Sequence, residues 1–229
     1  MYRLSFVRGT NPADQQWPSF QGWEGSDLVL VTGSYRSILT GDGDDVVVSF
    51  GGGNYADLGD GNDVAIAAGG NVSFNGGADN DVLIGGAESD GLVGGDGADI
   101  LIGGAGNDFL GFDVSDKLVS GGIGADTFFF NPTTINVSVP TIVPTMPVTV
   151  MASGAITISD FNATEGDVLS MAALNVRTEN VYSDMETNST VFVTAESTIV
   201  IVGVAFGDVG AAVANGSLIL QFDDFGGRG

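Results

Sequence analysis

The stretch Gly94–Gly111 reads GGDGADILIGGAGNDFLG. It is two nine-residue units laid end to end. Each opens with a glycine pair, places an aspartate sixth (Asp99, Asp108) and puts a leucine eighth (Leu101, Leu110). Stepping outward by nine from this frame, the register holds from Gly22 to Phe129 without an insertion, giving twelve units. The eighth place then carries Val29, Ile38, Val47, Ala56, Ala65, Phe74, Leu83, Leu92, Leu101, Leu110, Val119 and Phe128, apolar in every case. In a chain that is 43% hydrophobic, chance does not produce that column. Units that have lost their glycines therefore still feed one core.

The end of each unit is rich in Val, Ile, Leu and Phe, which favour strands. Its first six places are turn-like, with glycine supplying positive φ and close backbone approach. Strand, turn, strand and turn make one coil of two units. Successive coils stack as parallel strands about 4.8 Å apart, with eighth-place side chains inward. The expected fold is all-β: a parallel β-roll solenoid of about twelve units.

Composition limits the chemistry. Lys and Arg total 6 against 29 Asp and Glu, a formal net charge of −23 over 229 residues. That balance argues against nucleic acid and against anionic membrane surfaces as partners. No Cys and no His are present, so disulfides, thiolate or imidazole metal sites and Ser-His or Cys-His nucleophile systems are excluded. Carboxylates and carbonyls remain as ligands, and they favour hard cations such as calcium. No apolar run is long enough to be a membrane span, and MYRLSFVRGT at the N-terminus is not a secretory leader.

Alternate units fall on opposite sides of the roll. The odd side carries Asp27, Asp45, Asp63, Asp81, Asp99 and Lys117 at the sixth place, and the even side Arg36, Asn54, Val72, Asp90, Asp108 and Asp126. Aspartates stacked about 4.8 Å apart repel by about 1 kcal/mol in water and by several times more near a protein surface. A cation shared between coils reverses that sign and couples folding to binding. Two offset ladders are expected, bridging 27/45, 45/63, 63/81 and 81/99 on one side and 90/108 and 108/126 on the other, or about six sites.

The units resemble the RTX nonapeptide G-G-x-G-x-D-x-U-x, a calcium-binding motif of exported bacterial proteins. The resemblance covers at least residues 22–129. It implies a right-handed roll, Ca2+ as the bound ion and a secreted, extracellular or cell-surface location. It also implies type I secretion, whose signal is C-terminal. Downstream, Asp160, Phe161, Gly166, Asp167 and Leu169 match a D-F…G-D-x-L stretch that in this family often makes a last calcium site. Asp160 and Asp167 thus join the roll aspartates as candidate ligands.

Four regions follow: an N-terminal cap at 1–21 with a short strand at Tyr2–Val7, the roll at 22–129, a Pro/Thr/Val-rich apolar segment at 130–159 and a closing region at 160–229 with the secretion signal. In the closing region, 208–216 is read as a short helix and SLILQFDDF as a closing strand. The 130–159 segment is either an edge strand or loop packed along the roll, or an adhesive segment. Lys117 is either an ammonium in place of a cation, or bypassed by Asp116 shifting into its role. Asp79 and Glu88 replace fourth-place glycines, which implies modestly strained turns. Tyr35, Arg36, Asn54, Tyr55, Val72 and Phe74 mark an even-side stretch that either drifted or serves as a contact face.

Nothing here calls for catalysis: there is no H-E-x-x-H or G-x-S-x-G context. The expected function is a secreted calcium-binding structural protein that folds with calcium and self-assembles as a layer, filament or matrix. The alternatives are an extracellular polysaccharide-binding or adhesion module, with Trp23, Tyr35 and Tyr55 as its aromatics, and the secretion module of a secreted enzyme.

Overall fold

The computed structural model describes residues 3–7, 19–113, 115–130, 155–159, 167–175, 181–184, 189–193, 198–202 and 218–221. Each nonapeptide contributes one strand. In chain order these are β3 (Asp27–Val31), β4 (Ser37–Asp42), β5 (Val46–Ser49), β6 (Asn54–Asp60), β7 (Val64–Ala67) and β8 (Val72–Ala78). They continue as β9 (Val82–Gly86), β10 (Gly91–Asp96), β11 (Ile100–Ala105), β12 (Phe109–Phe112), β13 (Leu118–Ile123) and β14 (Thr127–Phe130).

The chain alternates between two parallel sheets. β3, β5, β7, β9, β11 and β13 lie side by side in one, and β4, β6, β8, β10, β12 and β14 in the other. The register steps by eighteen throughout: Val29, Val47, Ala65, Leu83, Leu101 and Val119 are successive partners. This is the expected β-roll. Inward, the eighth-place column is buried without exception. It carries the core, at about 25 cal/mol per Å² of apolar surface removed from water.

Both sheets extend past the repeat. The N-terminal cap supplies β1 (Arg3–Val7) alongside β3 and β2 (Ser19–Gln21) alongside β4, so its described part is one more coil. At the other end, β15 (Ala155–Ile158) pairs with β13, and β16 (Val168–Asn175) with β14. β20 (Leu218–Gln221) adds in parallel to β16, within the expected closing strand. One departure is antiparallel. β17 (Val181–Asp184), β18 (Ser189–Val193) and β19 (Thr198–Val202) form a meander whose β19 joins β15 in parallel. The 131–154 segment, the helix read at 208–216 and Trp17 lie outside the described residues.

The outer faces of the two sheets differ. On the odd sheet, one outward column is Leu28, Val46, Val64, Val82, Ile100 and Leu118. Its neighbour is Leu30, Val48, Ile66, Ile84, Ile102 and Ser120. Leu4 and Phe6 of β1 continue the two columns and are more than half exposed. The even sheet instead presents Ser37, Tyr55, Ser73, Gly91, Phe109 and Thr127 beside Leu39, Asp57, Asn75, Val93, Gly111 and Phe129. There Phe109 and Phe129 stack at 5.9 Å.

Candidate metal centre

The turns can stack because their second place is glycine. Gly59, Gly77, Gly95, Gly104 and Gly122 all hold φ between 100° and 116°. A Cβ on any of them would run into the carbonyl oxygen of the second-place glycine one coil earlier. Only glycine allows both the left-handed backbone and that approach.

Each sixth-place aspartate closes its turn against the coil before it. The backbone N–H of Asp27 donates to Asp45 Oδ1 at 2.6 Å, Asp45 to Asp63 at 2.7 Å, Asp63 to Asp81 at 2.8 Å and Asp81 to Asp99 at 2.8 Å. On the even side, Asp90 donates to Asp108 Oδ1 and Asp108 to Asp126 Oδ1, both at 2.8 Å. The ladder runs on through Asp126, whose N–H donates to Asp167 Oδ1 at 2.9 Å. The six pairs expected from the eighteen-residue spacing are therefore each joined by a hydrogen bond. Asp160 lies outside the described residues.

The second carboxylate oxygen is the anomaly. Oδ2 of Asp27, Asp45, Asp63, Asp81, Asp90, Asp99 and Asp108 is buried without a hydrogen-bond partner. It occupies the space that a Cβ on the first-place residue of its own unit would need, which glycine leaves open: Asp81 at Gly76, Asp90 at Gly85, Asp99 at Gly94 and Asp108 at Gly103. For Asp45, Asp63, Asp81, Asp90, Asp99 and Asp108, burial is the main influence and opposes ionisation. It lifts Asp63 and Asp81 to about 7, and Asp90 and Asp108 to about 6, against the pull of the donated N–H. Asp45 and Asp99 are raised for the same reason. A buried carboxylate with an idle oxygen is costly unless a cation or proton meets it. Among the described residues no three acidic side chains converge on one point. A hard cation in these turns would draw its other oxygens from main-chain carbonyls, as calcium readily does.

The weak eleventh unit is resolved by a one-residue slip. Asp116, not Lys117, accepts the Asp99 N–H, at 3.1 Å. Its other oxygen accepts from Asp113 N at 2.8 Å, while Lys117 stays exposed. Burial raises the Asp116 carboxyl as well. Of the two non-glycine fourth places, Asp79 does adopt a left-handed backbone (φ 76°). Glu88 does not, so the strain expected for it is absent.

Asn54, which interrupts the aspartates of the even side, is nonetheless a ladder member. It accepts the Arg36 N–H through Oδ1 at 2.8 Å, as an aspartate would. Its amide nitrogen donates to Gly33 O, Ser49 Oγ and Gly51 O at 2.8–2.9 Å. The signal was present: Asn occupies the sixth place where Ser, not Gly, occupies the first.

Comparison with known families matches residues 57–92 and 75–110 to the RTX calcium-binding nonapeptide repeat, four copies to a match. The roll carries RTX calcium-binding repeats. Those matches lie within the roll, and the eighteen-residue register continues outward from them on both sides, to β3 and β14. No curated protein matches the chain. The matched repeat is a calcium-binding one, and the two matches span residues 57–110 of the 229.

Proposed function

We propose that the roll is a calcium-folded scaffold that associates with further copies of itself outside the cell. Asp27, Asp45, Asp63, Asp81 and Asp99 on one side, and Asp90, Asp108, Asp126 and Asp167 on the other, are the proposed ligand carboxylates. The observation that carries the calcium part is the file of buried, idle Oδ2 atoms beside first-place glycines. A protein of net charge −23 repels its own copies over most of its surface. The outer face of the odd sheet is free of charge from Leu28 to Ser120. Seven strands about 4.8 Å apart and two side-chain columns give an apolar band of roughly 300–400 Å², the size of the largest patch a typical monomer exposes. Two such faces would pack as stacked sheets, about 10 Å apart. The band is smaller than the roughly 800 Å² per partner of a stable interface, so association is weak per contact and depends on concentration.

The test is molar mass by light scattering after size exclusion, in chelator and in millimolar calcium, over a range of protein concentration. The reading expects an expanded monomer in chelator and concentration-dependent oligomers in calcium. Val64→Glu with Val82→Glu should leave the calcium-induced β signal intact and abolish the oligomers. A wild type that stays monomeric in calcium at every concentration would reject self-association while leaving calcium folding standing.

A polysaccharide-binding role has one observation in its favour: Trp23 and Tyr35 are about two-thirds exposed and Tyr55 is partly so. Glycan-array binding lost in Trp23→Ala and Tyr35→Ala would support that role over self-association.

A further inference from the structure

At Asp63 and Asp81, one side-chain oxygen is bonded and the other is buried and idle. At Asn54, 2% exposed, both ends of the amide are used. Oδ1 takes the Arg36 N–H of the coil before. Nδ2 reaches Gly33 O of that coil, and Gly51 O and Ser49 Oγ of its own. The amide thus gathers oxygens from two successive coils, which is the task a shared cation performs for a carboxylate. It does so without charge, so nothing remains to be neutralised. Ser49 completes the arrangement. It stands at the first place, where intact units keep glycine against Asp Oδ2, and it is itself buried. Its hydroxyl both accepts from Asn54 and donates to Gly51 O at 3.1 Å. One coil on, the ladder place is Val72, also buried and neutral, with its N–H held by Asp90 Oδ1 at 2.7 Å.

We propose that Asn54 and Ser49 are a built-in substitute for a bound cation, so that the even-side turn spanning Gly33 and Gly51 closes without calcium. The inference rests on the calcium reading above. The absolute number of ions tests that reading, and the difference between variants tests this one.

The experiment counts calcium by native mass spectrometry at saturation, on the full chain. The variants are Asn54→Asp, Ser49→Gly with Asn54→Asp, and Asn54→Ala. The double variant restores the repeat signature beside the carbonyls of Gly33 and Gly51 that Asn54 now gathers, and with those oxygens in place of a second aspartate it should hold one more ion than the wild type. It should also need more calcium to reach half its β-sheet signal. Asn54→Ala should keep the wild-type count while its thermal midpoint in calcium falls by roughly 5–10 °C, from the loss of buried hydrogen bonds. Equal counts in the wild type and the double variant overturn the proposal, whatever the absolute number. So does a double variant that stays unfolded at saturating calcium, or an Asn54→Ala chain that holds one ion fewer.

Discussion

Oδ1 of Asp63 accepts the backbone N–H of Asp45, one coil before it, at 2.7 Å. A single side chain thereby performs two tasks: one oxygen sutures neighbouring coils and the other is left for a cation. Substitutions that separate those tasks have opposite effects with and without calcium.

Asp63→Asn keeps the acceptor for Asp45 and removes the charge. In chelator it should be more folded than wild type, and in calcium it should bind fewer ions. Its midpoint should shift upward by about ten- to a hundredfold, in line with one charge-assisted interaction of about 1.5–3 kcal/mol. Asp63→Ala also orphans the Asp45 N–H, a further cost of about 1–3 kcal/mol. Calcium titrations followed by circular dichroism, run side by side, check the order.

Acid should act in opposite directions on the two forms. The carboxyls of Asp63, Asp81, Asp90 and Asp108 are raised in the folded chain to about 6–7, against an ordinary value of about 4. Such groups favour folding when protonated, and that contribution is lost as pH rises through 6–7. In chelator, lowering the pH from about 8 to about 5 should therefore increase β structure. In calcium, protons compete for the same oxygens, so apparent affinity should fall over that interval. Stability that rises with pH in chelator would contradict the buried-carboxylate picture.

Gly104→Ala tests whether stacking or metal comes first. Gly104 holds φ 113° and meets the Gly86 carbonyl where a Cβ would sit. The variant should fail to complete the roll even at saturating calcium, seen as a loss of protease resistance around β10–β12. Gly91→Ala has room, with Ser73 Oγ the nearest atom at 3.6 Å, and should behave as wild type.

Core truncation should be costly and local. Leu101 and Leu110 are fully buried, and Leu→Ala at such sites removes about 2–5 kcal/mol. Because each coil touches only its neighbours, hydrogen exchange in calcium should show lost protection near the altered coil and little change at β3–β6.

Much of this was legible because a solenoid writes its geometry into a period. The column from Val29 to Phe128 fixed the register, and with it the pairing of Asp45 with Asp63 and of Asp90 with Asp108. The idle Oδ2 atoms were not legible, since a spacing does not say which oxygen of a carboxylate is used. Asp116 could be offered only as an alternative to Lys117, because a one-residue slip in a turn costs little and leaves no periodic trace. The β17–β19 meander has no repeat to announce it. The bare odd face was written plainly at the seventh and ninth places, but inward and outward apolar residues look alike until the sheet says which way each points.

The ladder also has a direction. Asp27 is held by Asp45, Asp45 by Asp63, and Asp108 by Asp126, which is held in turn by Asp167. In this side-chain ladder each aspartate N–H is held by the C-terminal neighbour, while seventh-place N–H groups donate the other way, Val64 to Asp45 O and Val82 to Asp63 O. A seed at the C-terminal end presents a ready carboxylate to the aspartate N–H of each coil that joins it, whereas growth from the other end leaves the newest such N–H waiting. The side-chain ladder is thus polar along the roll axis, whereas the backbone ladder beside it is not.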